Sequence, residues 1–368
     1  MLSFTEIMEC RKGLKLLGCG NRTYKAVIDT YLSNCQAKIS KIWRCNYTSS
    51  ANSTNNKPYI PRRTVMYVPG HDPKKLKKIP HLGVDCAVLE CEDGVAINMK
   101  AEARKNIRDA LEYLDVKTAD LALRINSRSS QLMEADLGAI IGAELGAKAN
   151  VRQLPQTILL PKVDSVEDLV IVSKSFKYLY ENIKLDRGYC PYLLIYVESS
   201  QALLNMRDIL KIGTDLTQLG VFQLDGVIFG SDDFVADIGA ERTLDAKELM
   251  YARQKIVSVS KAFRLQVIDM VYLDIQDIEG LQRQSQEGAK MGFTGKQVIH
   301  PKQIQIVEAA FTPSPAKVDW ALQLIQGFEE HQKSGKGAFV FRGQMIDMPL
   351  LRQAKNILKV IDVHKQAS

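Results

Sequence analysis

The sequence is poor in the residues that usually mark a zinc or redox centre. It has five histidines and seven cysteines, and no Cys-x-x-Cys or Cys/His spacing suited to zinc. The odd cysteine count follows no framework pattern, which excludes a disulfide scaffold and points to reduced thiols in an intracellular compartment. Cys86 and Cys91 lie in or beside a strand pattern and read as small core residues. No apolar run approaches the roughly 18 residues of a membrane-spanning helix, so no membrane partner is expected. No Gly-x-Gly-x-x-Gly follows the first strand pattern. Val68-Pro-Gly-His-Asp72 stands there instead, which argues against a dinucleotide-binding open sheet. The body also lacks an excess of either charge. Of the net +7, residues 1–58 contribute nine basic against three acidic side chains, and the rest holds 40 against 39. A nearly neutral body carries no electrostatic footprint for nucleic acid.

What residues 1–58 do have is distinctive. Arg11, Lys12, Lys15, Arg22, Lys25, Lys38, Lys41 and Arg44 enclose one acid, Asp29, and the polar stretch Asn46–Asn56 follows. A basic, acid-poor, Ser/Asn-rich start of this kind reads as a mitochondrial transit peptide with a disordered linker, directing the chain to the matrix. A plain disordered basic tail is the alternative, and Glu6 and Glu9 favour it.

From Thr64 onward, short apolar runs alternate with longer amphipathic ones. The strand patterns are Thr64–Val68, Cys86–Cys91, Leu121–Ile125, Thr157–Lys162, Tyr192–Glu198, Gly226–Gly230, Gln266–Leu273 and Gln297–His300. They are rich in Val, Ile, Leu and Tyr, as parallel strands buried on both faces are. Helical patterns lie between them: Ser165–Tyr180, capped by Ser-Val-Glu-Asp; Asp245–Phe263; and Asp277–Met291, closed by Gly292. Eight such units in roughly 250 residues predict an α/β fold, the (β/α)8 TIM barrel, over residues 59–312. A doubly wound open sheet is the alternative. Residues 313–368 are expected to add a helix from Ser314 to about Gln332, a Gly-containing hinge at Ser334–Ala338 and a mobile lid or packing arm against a neighbouring subunit.

The strand ends carry the chemistry. Glu92 and Asp93 follow the second strand, and Arg124 and Lys162 lie in the third and fourth. Glu198 ends the fifth, Asp233 follows the sixth, and His300 ends the eighth. In a barrel these ends converge on one face. Glu198 and Asp233 are oxygen ligands with no His or Cys beside them, a donor set that suits a hard divalent cation such as Mg²⁺. Salt bridges from one or both to Arg124 or Lys162 are the alternative. Glu92 and Asp93 either hold metal-bound waters or pair with Arg104. A metal and an arginine on one rim suit the stabilisation of an enolate.

Several segments carry a family pattern: Tyr67-Val-Pro-Gly70, Leu89-Glu-Cys-Glu-Asp-Gly-Val95, Leu123-Arg-Ile-Asn126, Leu160-Pro-Lys-Val163, Val197-Glu198, Phe229-Gly-Ser-Asp-Asp-Phe234, Gly295-Lys-Gln-Val-Ile-His-Pro301 and Gly343-Gln-Met-Ile-Asp-Met-Pro349. Together they resemble the citrate lyase β-subunit family of CoA-thioester lyases, which belongs with the HpcH/HpaI-type aldolases. The resemblance covers Tyr59 to Pro349. It implies a homotrimeric barrel binding Mg²⁺ through Glu198 and Asp233. It implies that Tyr67 and Lys74 contact the CoA thioester and Arg124 the substrate beside it. It also implies that Asp347 reaches an adjacent subunit's site as acid/base. The implied reaction is retro-Claisen cleavage of (3S)-citramalyl-CoA to acetyl-CoA and pyruvate, with malate synthase and thioesterase side activity from glyoxylate and acetyl-CoA. Malyl-CoA or citryl-CoA as substrate, or a catalytically silent binding barrel, are the competing expectations. The Asp232-Asp233 pair stands where the family pattern has Glu-Asp, which leaves the ligand role on Asp233.

Overall fold

The computed structural model describes residues 59–116, 119–142, 154–182, 189–333 and 339–367. The expected targeting segment (1–58) and the Ser334–Ala338 hinge lie outside the described residues. Eight parallel strands close into a barrel in sequence order: β1 Thr64–Pro69, β2 Cys86–Glu90, β3 Asp120–Arg124, β4 Thr157–Leu160, β5 Tyr192–Val197, β6 Gln223–Phe229, β7 Gln266–Asp269 and β8 Gly295–Val298. Pairing of Thr64 with Lys296 and Val65 with Gln297 seals β1 to β8, so the open sheet is excluded.

Helices α1 Pro73–Leu76, α2 Lys100–Leu111, α3 Met133–Ile140, α4 Val166–Asn182, α5 Ser200–Thr217, α6 Ser231–Ile238, α7 Met250–Ala262, α8 Ile278–Met291 and α9 Ile304–Phe311 alternate with the strands. Their boundaries follow the expected local chemistry. Asp168 reaches back to accept from the Ser165 backbone N–H (2.9 Å), the reciprocal contact of a capping box. Asp277 accepts from Gly280 N (2.8 Å), and Gly292 leaves α8 at φ 105°, a conformation that favours glycine.

Alternation along the strands sorts side chains into two cores. Val65, Cys86, Val88, Ala122, Leu159, Leu194, Tyr196, Ile228 and Ile268 fill the barrel interior, with Tyr67 packed on them. Met66, Val68, Ala87, Leu89, Leu123, Ile158, Leu193 and Ile195 face outward and join the helix layer. Cys86 and Cys91 are both buried in these cores, as expected. At the N-terminal end Arg62, fully buried, donates to Asp120 (2.6 Å), Asp225 (2.5 Å) and Thr157 (3.0 Å).

Beyond the barrel, α10 Pro315–Lys333, a hairpin of β9 Phe339–Phe341 and β10 Gln344–Ile346, and α11 Met348–Ala367 build their own small core. Ala321, Leu324, Ile346, Leu351 and Ala354 are its buried members. Among the described residues, no helix is long and apolar enough to cross a membrane.

Candidate active site

At the C-terminal ends of the strands lies a cavity of about 440 Å³. Tyr67 (β1), Asp93 (after β2), Arg124 (β3), Tyr196 (β5), Glu198 (after β5), Gly230 to Asp233 (after β6), Val271 (after β7), Gln297 (β8) and Ile299 line it. The expected Tyr67, Asp93, Arg124, Glu198 and Asp233 are thus brought together, with Glu92 joined through Arg124. Lys74 lies on α1, Asp347 at the start of α11 and His300 after β8, and none of the three is among the lining residues.

Arg124 is held from two sides. Its Nε donates to Glu90 Oε2 (2.5 Å) and its Nη1 lies 3.1 Å from Glu92 Oε2 and 4.0 Å from Asp93 Oδ2. Its guanidinium carbon stands 4.8 Å from the centroid of the Tyr67 ring and 5.7 Å from that of Tyr196, within cation–π range. Glu90 also accepts from the Glu92 backbone N–H, which folds the chain after β2 back on itself. Burial raises the Glu90 carboxyl despite the opposing Arg124 charge. Burial also pushes Glu92 up to about 7, with Arg124 again opposing and Asp93 and Glu90 reinforcing.

Glu198 is in a different position. It is 6 % exposed and accepts one hydrogen bond, from the Lys162 backbone N–H (2.5 Å). Lys162 has φ 55°, a left-handed turn after β4 that aims this N–H into the site. Burial, then the Glu92 and Asp233 charges, push the Glu198 carboxyl up to about 8. A Cβ at Gly230 would lie 2.6 Å from Glu198 Cβ and Oε2, so glycine is required there for this carboxylate to sit as it does. The salt bridge considered between Arg124 and Glu198 is not formed, because Arg124 is engaged by Glu90 and Glu92. The ammonium of Lys162 lies 3.6 Å from Glu92, and the surrounding carboxylates raise its pKa although burial lowers it.

The expected pairing of Glu92 or Asp93 with Arg104 is corrected: Arg104 donates to Asp136 (2.7 Å). Asp136 also accepts from the Asn126 backbone and side chain (2.7 Å each), and Asn126 accepts from Lys100 (2.7 Å). Lys100 in turn clamps the carbonyls of Cys91 and Glu92 (2.8 Å each). The result is a brace that fixes the loop carrying Glu92 and Asp93.

Asp232 and Asp233 sit in the first turn of α6, both exposed to the cavity. Asp232 lies 3.4 Å from Arg242, whereas Asp233 has no ion-pair partner among the described residues and contributes to raising Glu198. Glu198 and Asp233 therefore form an all-oxygen pair short of positive charge, which fits a hard divalent cation. No three His, Cys, Asp or Glu side chains converge into a ready cage among the described residues. Two carboxylates completed by waters and substrate oxygens are the usual arrangement for Mg²⁺.

Glu90, Tyr196 and Gln297 were missed from sequence. Two-residue alternation from Val88 and Leu194 turns Glu90 and Tyr196 inward, a signal hidden by reading their strands as continuous apolar runs.

The chain as a whole is similar to known proteins. The sequence model of the HpcH/HpaI aldolase/citrate lyase family matches residues 63–301. The chain is 52% identical over 325 residues to the mitochondrial citramalyl-CoA lyase of Rattus norvegicus, covering 87% of this chain and 90% of that protein. It is 50% identical over 318 residues to the mitochondrial citramalyl-CoA lyase of Homo sapiens, covering 85% and 88%. In three dimensions it resembles protein CitE from Mycobacterium tuberculosis, solved in complex with magnesium, acetoacetate and coenzyme A. There the TM-score is 0.61 and the identity 28%, over 81% of this chain and 97% of that one. The chain belongs to the HpcH/HpaI aldolase/citrate lyase family.

Proposed function

We propose that this protein is a Mg²⁺-dependent carbon–carbon lyase that cleaves (3S)-citramalyl-CoA to acetyl-CoA and pyruvate. The carrying observation is the buried Glu198 carboxylate, which forms no ion pair among the described residues, is pushed up to about 8 by burial despite the Lys162 charge, and lines one cavity with Asp233 and Arg124. The relatives at 50–52% identity and the magnesium and coenzyme A of the CitE complex support the substrate and the cofactor.

Glu198 and Asp233 would hold Mg²⁺, which supplies Lewis-acid polarisation of the 3-hydroxyl and carboxylate. Arg124, clamped by Glu90 and Glu92, is preorganised to receive the negative oxygen of the acetyl-CoA enolate left when the C–C bond breaks. Tyr67 lines the cavity and would contact the CoA thioester there, and Lys74 on α1 lies after the C-terminal end of β1, where it can meet the CoA. Asp347 of a neighbouring subunit in a homotrimer delivers the proton that turns the enolate into acetyl-CoA. Its exposure at the start of α11, outside its own chain's cavity lining, supports a role in trans. Condensation of glyoxylate with acetyl-CoA, followed by hydrolysis to malate, is the accompanying side activity. The mitochondrial names of the relatives and the basic residues 1–58 support a matrix location and a division into targeting segment, barrel (59–312) and C-terminal lid (313–368).

The test is pyruvate release from citramalyl-CoA by wild type, Glu198→Gln and Asp233→Asn, with and without EDTA. Each substitution and the chelator should lower turnover about 10²-fold or more. Turnover unchanged under any of these conditions removes the metal assignment. Mixing inactive Asp347→Ala with inactive Glu198→Gln subunits should restore part of the activity. Verified mixed trimers that stay inactive would remove the role in trans.

A further inference from the structure

Gln297 lies on β8 with its side chain inside the barrel, 5 % exposed. Its neighbours dictate which way the amide faces. Nε2 lies 2.8 Å from the Phe229 carbonyl and 3.2 Å from the Asp269 carbonyl, at the ends of β6 and β7. Carbonyls only accept, so the nitrogen must face them. Oε1 is then the atom 2.8 Å from the Tyr67 hydroxyl, and Tyr67 donates to it. That uses the one proton Tyr67 has. Its 2.5 Å contact with the Tyr196 hydroxyl must therefore be donated by Tyr196. A single direction runs through the chain: Tyr196 to Tyr67, Tyr67 to Gln297, and Gln297 to two strand carbonyls.

Both phenolic protons are thus committed within the protein. Neither tyrosine has a proton to offer a ligand. What the pair offers is its ring faces, against which the Arg124 guanidinium rests. Glu90 and Glu92 hold Arg124 by its edge, and the rings set its plane. Without Gln297 the last proton of the chain has no acceptor, and a buried donor in that state moves to find one.

We infer that Gln297 is a positioning residue that acts through Tyr67 and Tyr196, locking both rings and so setting the aim of Arg124 in the cavity. The inference rests on the enolate-stabilising role proposed above for Arg124. An enolate oxygen exists after bond cleavage and not in the bound substrate, so a misaimed guanidinium lowers kcat more than it raises KM.

Three variants test it in the full-length protein loaded with Mg²⁺. Gln297→Met keeps the volume and removes acceptor and donors together; kcat should fall about 10- to 100-fold with KM within about threefold. Tyr196→Phe keeps the ring and removes only the hydroxyl that donates to Tyr67; kcat should fall about tenfold, and this variant decides the matter where Gln297→Met folds poorly. In Gln297→Glu, only the protonated acid reproduces one acceptor and one donor. An ionised carboxylate would face two carbonyl oxygens. The groups around it are Tyr67 and Tyr196, with Arg124 and Glu90 behind them, and the Asp93, Glu198, Asp232 and Asp233 carboxylates line the same cavity and add no positive charge to favour ionisation. The Asp269 carboxylate points away toward Arg253 (2.8 Å). Infrared difference spectra should therefore show a neutral carboxyl band at neutral pH. The ratio of variant to wild-type kcat should fall as pH rises and the acid ionises.

Wild-type kcat in folded Gln297→Met or Tyr196→Phe would overturn the inference, and so would an ionised carboxylate at neutral pH in Gln297→Glu. A wild-type protein that releases no pyruvate, beside a neutral band in Gln297→Glu, would overturn the proposed reaction and the positioning role with it. The direction of the hydrogen-bond chain would still stand.

Discussion

Both ends of the barrel bury carboxylates, and they treat them in opposite ways. At the N-terminal end, Arg62 meets Asp120 and Asp225 at 2.6 and 2.5 Å, with Thr157 donating to Asp120 and Gln266 to Asp225. The two carboxylates raise the Arg62 pKa in spite of its burial, so the guanidinium keeps its charge and each acid has a partner. At the C-terminal end, Glu198 receives one backbone N–H, and burial with the charges of Glu92 and Asp233 outweighs the more weakly acting Lys162 ammonium in opposing its ionisation. Burial of an acid therefore does not distinguish structure from function. What distinguishes them is whether the chain itself supplies the cation. The N-terminal cluster is complete as folded, and the C-terminal one is left for the proposed Mg²⁺ to complete.

The largest expected effect breaks the complete end. Arg62→Met leaves Asp120 and Asp225 buried without their cation and should cost about 3–5 kcal/mol in denaturant unfolding. Added Mg²⁺ should not recover it, since the lesion lies at the opposite end from Glu198. Recovery by Mg²⁺ comparable to that of wild type at the C-terminal site would mean that the two ends are not independent.

A smaller effect sharpens the incomplete end. Without metal, burial and the Glu92 and Asp233 charges push the Glu198 carboxyl in the folded protein up to about 8, from a usual value of 4.5. Between these values the folded state holds the proton and the unfolded chain has lost it, so metal-free stability falls as pH rises from about 4.5 to about 8. In the proposed site Mg²⁺ and the proton would compete for the same Glu198 oxygens. The stabilisation by Mg²⁺ should therefore grow from pH 6 to pH 8, reaching about 1.4 kcal/mol at ten times the dissociation constant. Thermal unfolding at both pH values, with and without Mg²⁺, reads this directly. Glu198→Gln should abolish the growth, and an equal Mg²⁺ effect at pH 6 and pH 8 in wild type would remove Glu198 as the linked group.

The incomplete end was the more legible of the two in sequence. Glu198, Asp233 and Arg124 stand where apolar runs stop, and in a closed barrel strand ends share a rim. The complete end was hidden by an irregularity. Asp225 and Ile228 both face the interior, although they stand three positions apart and simple alternation forbids it. The register shift of β6 opposite Leu193 and Leu194 makes this possible by adding one residue there. No composition or spacing announces such a bulge. The seventh strand was drawn too long for a related reason. Met270 and Tyr272 remain buried after the ladder ends at Asp269, so hydrophobicity outlasts pairing. The eighth pattern lay two residues late at its start, because Gly295 and Lys296 belong to β8 and His300 begins the following turn. Asp347 has no local signal. It is an exposed acid whose side chain accepts from Leu350 N (3.2 Å), as many helix-starting aspartates do.

The smallest effect lies within one turn of α6. Asp232 and Asp233 are chemically identical neighbours on the same cavity, and the site uses them differently. Asp232 pairs with Arg242 at 3.4 Å, and Arg242 also donates to the Val271 carbonyl (3.2 Å), which ties the loops after β6 and β7 together. That pair is half exposed at the carboxylate and should be worth under about 1 kcal/mol. Asp232→Asn is therefore expected to leave kcat/KM within about threefold of wild type and the Mg²⁺ requirement unchanged. Asp233→Asn should cost the two orders of magnitude predicted for a metal ligand. Parallel Mg²⁺ titrations of the two variants measure the difference. Comparable losses at both positions would show that the Arg242 pair belongs to the cation site, and that the supply of charge by the chain, which separates the two ends of the barrel, also reaches into the C-terminal one.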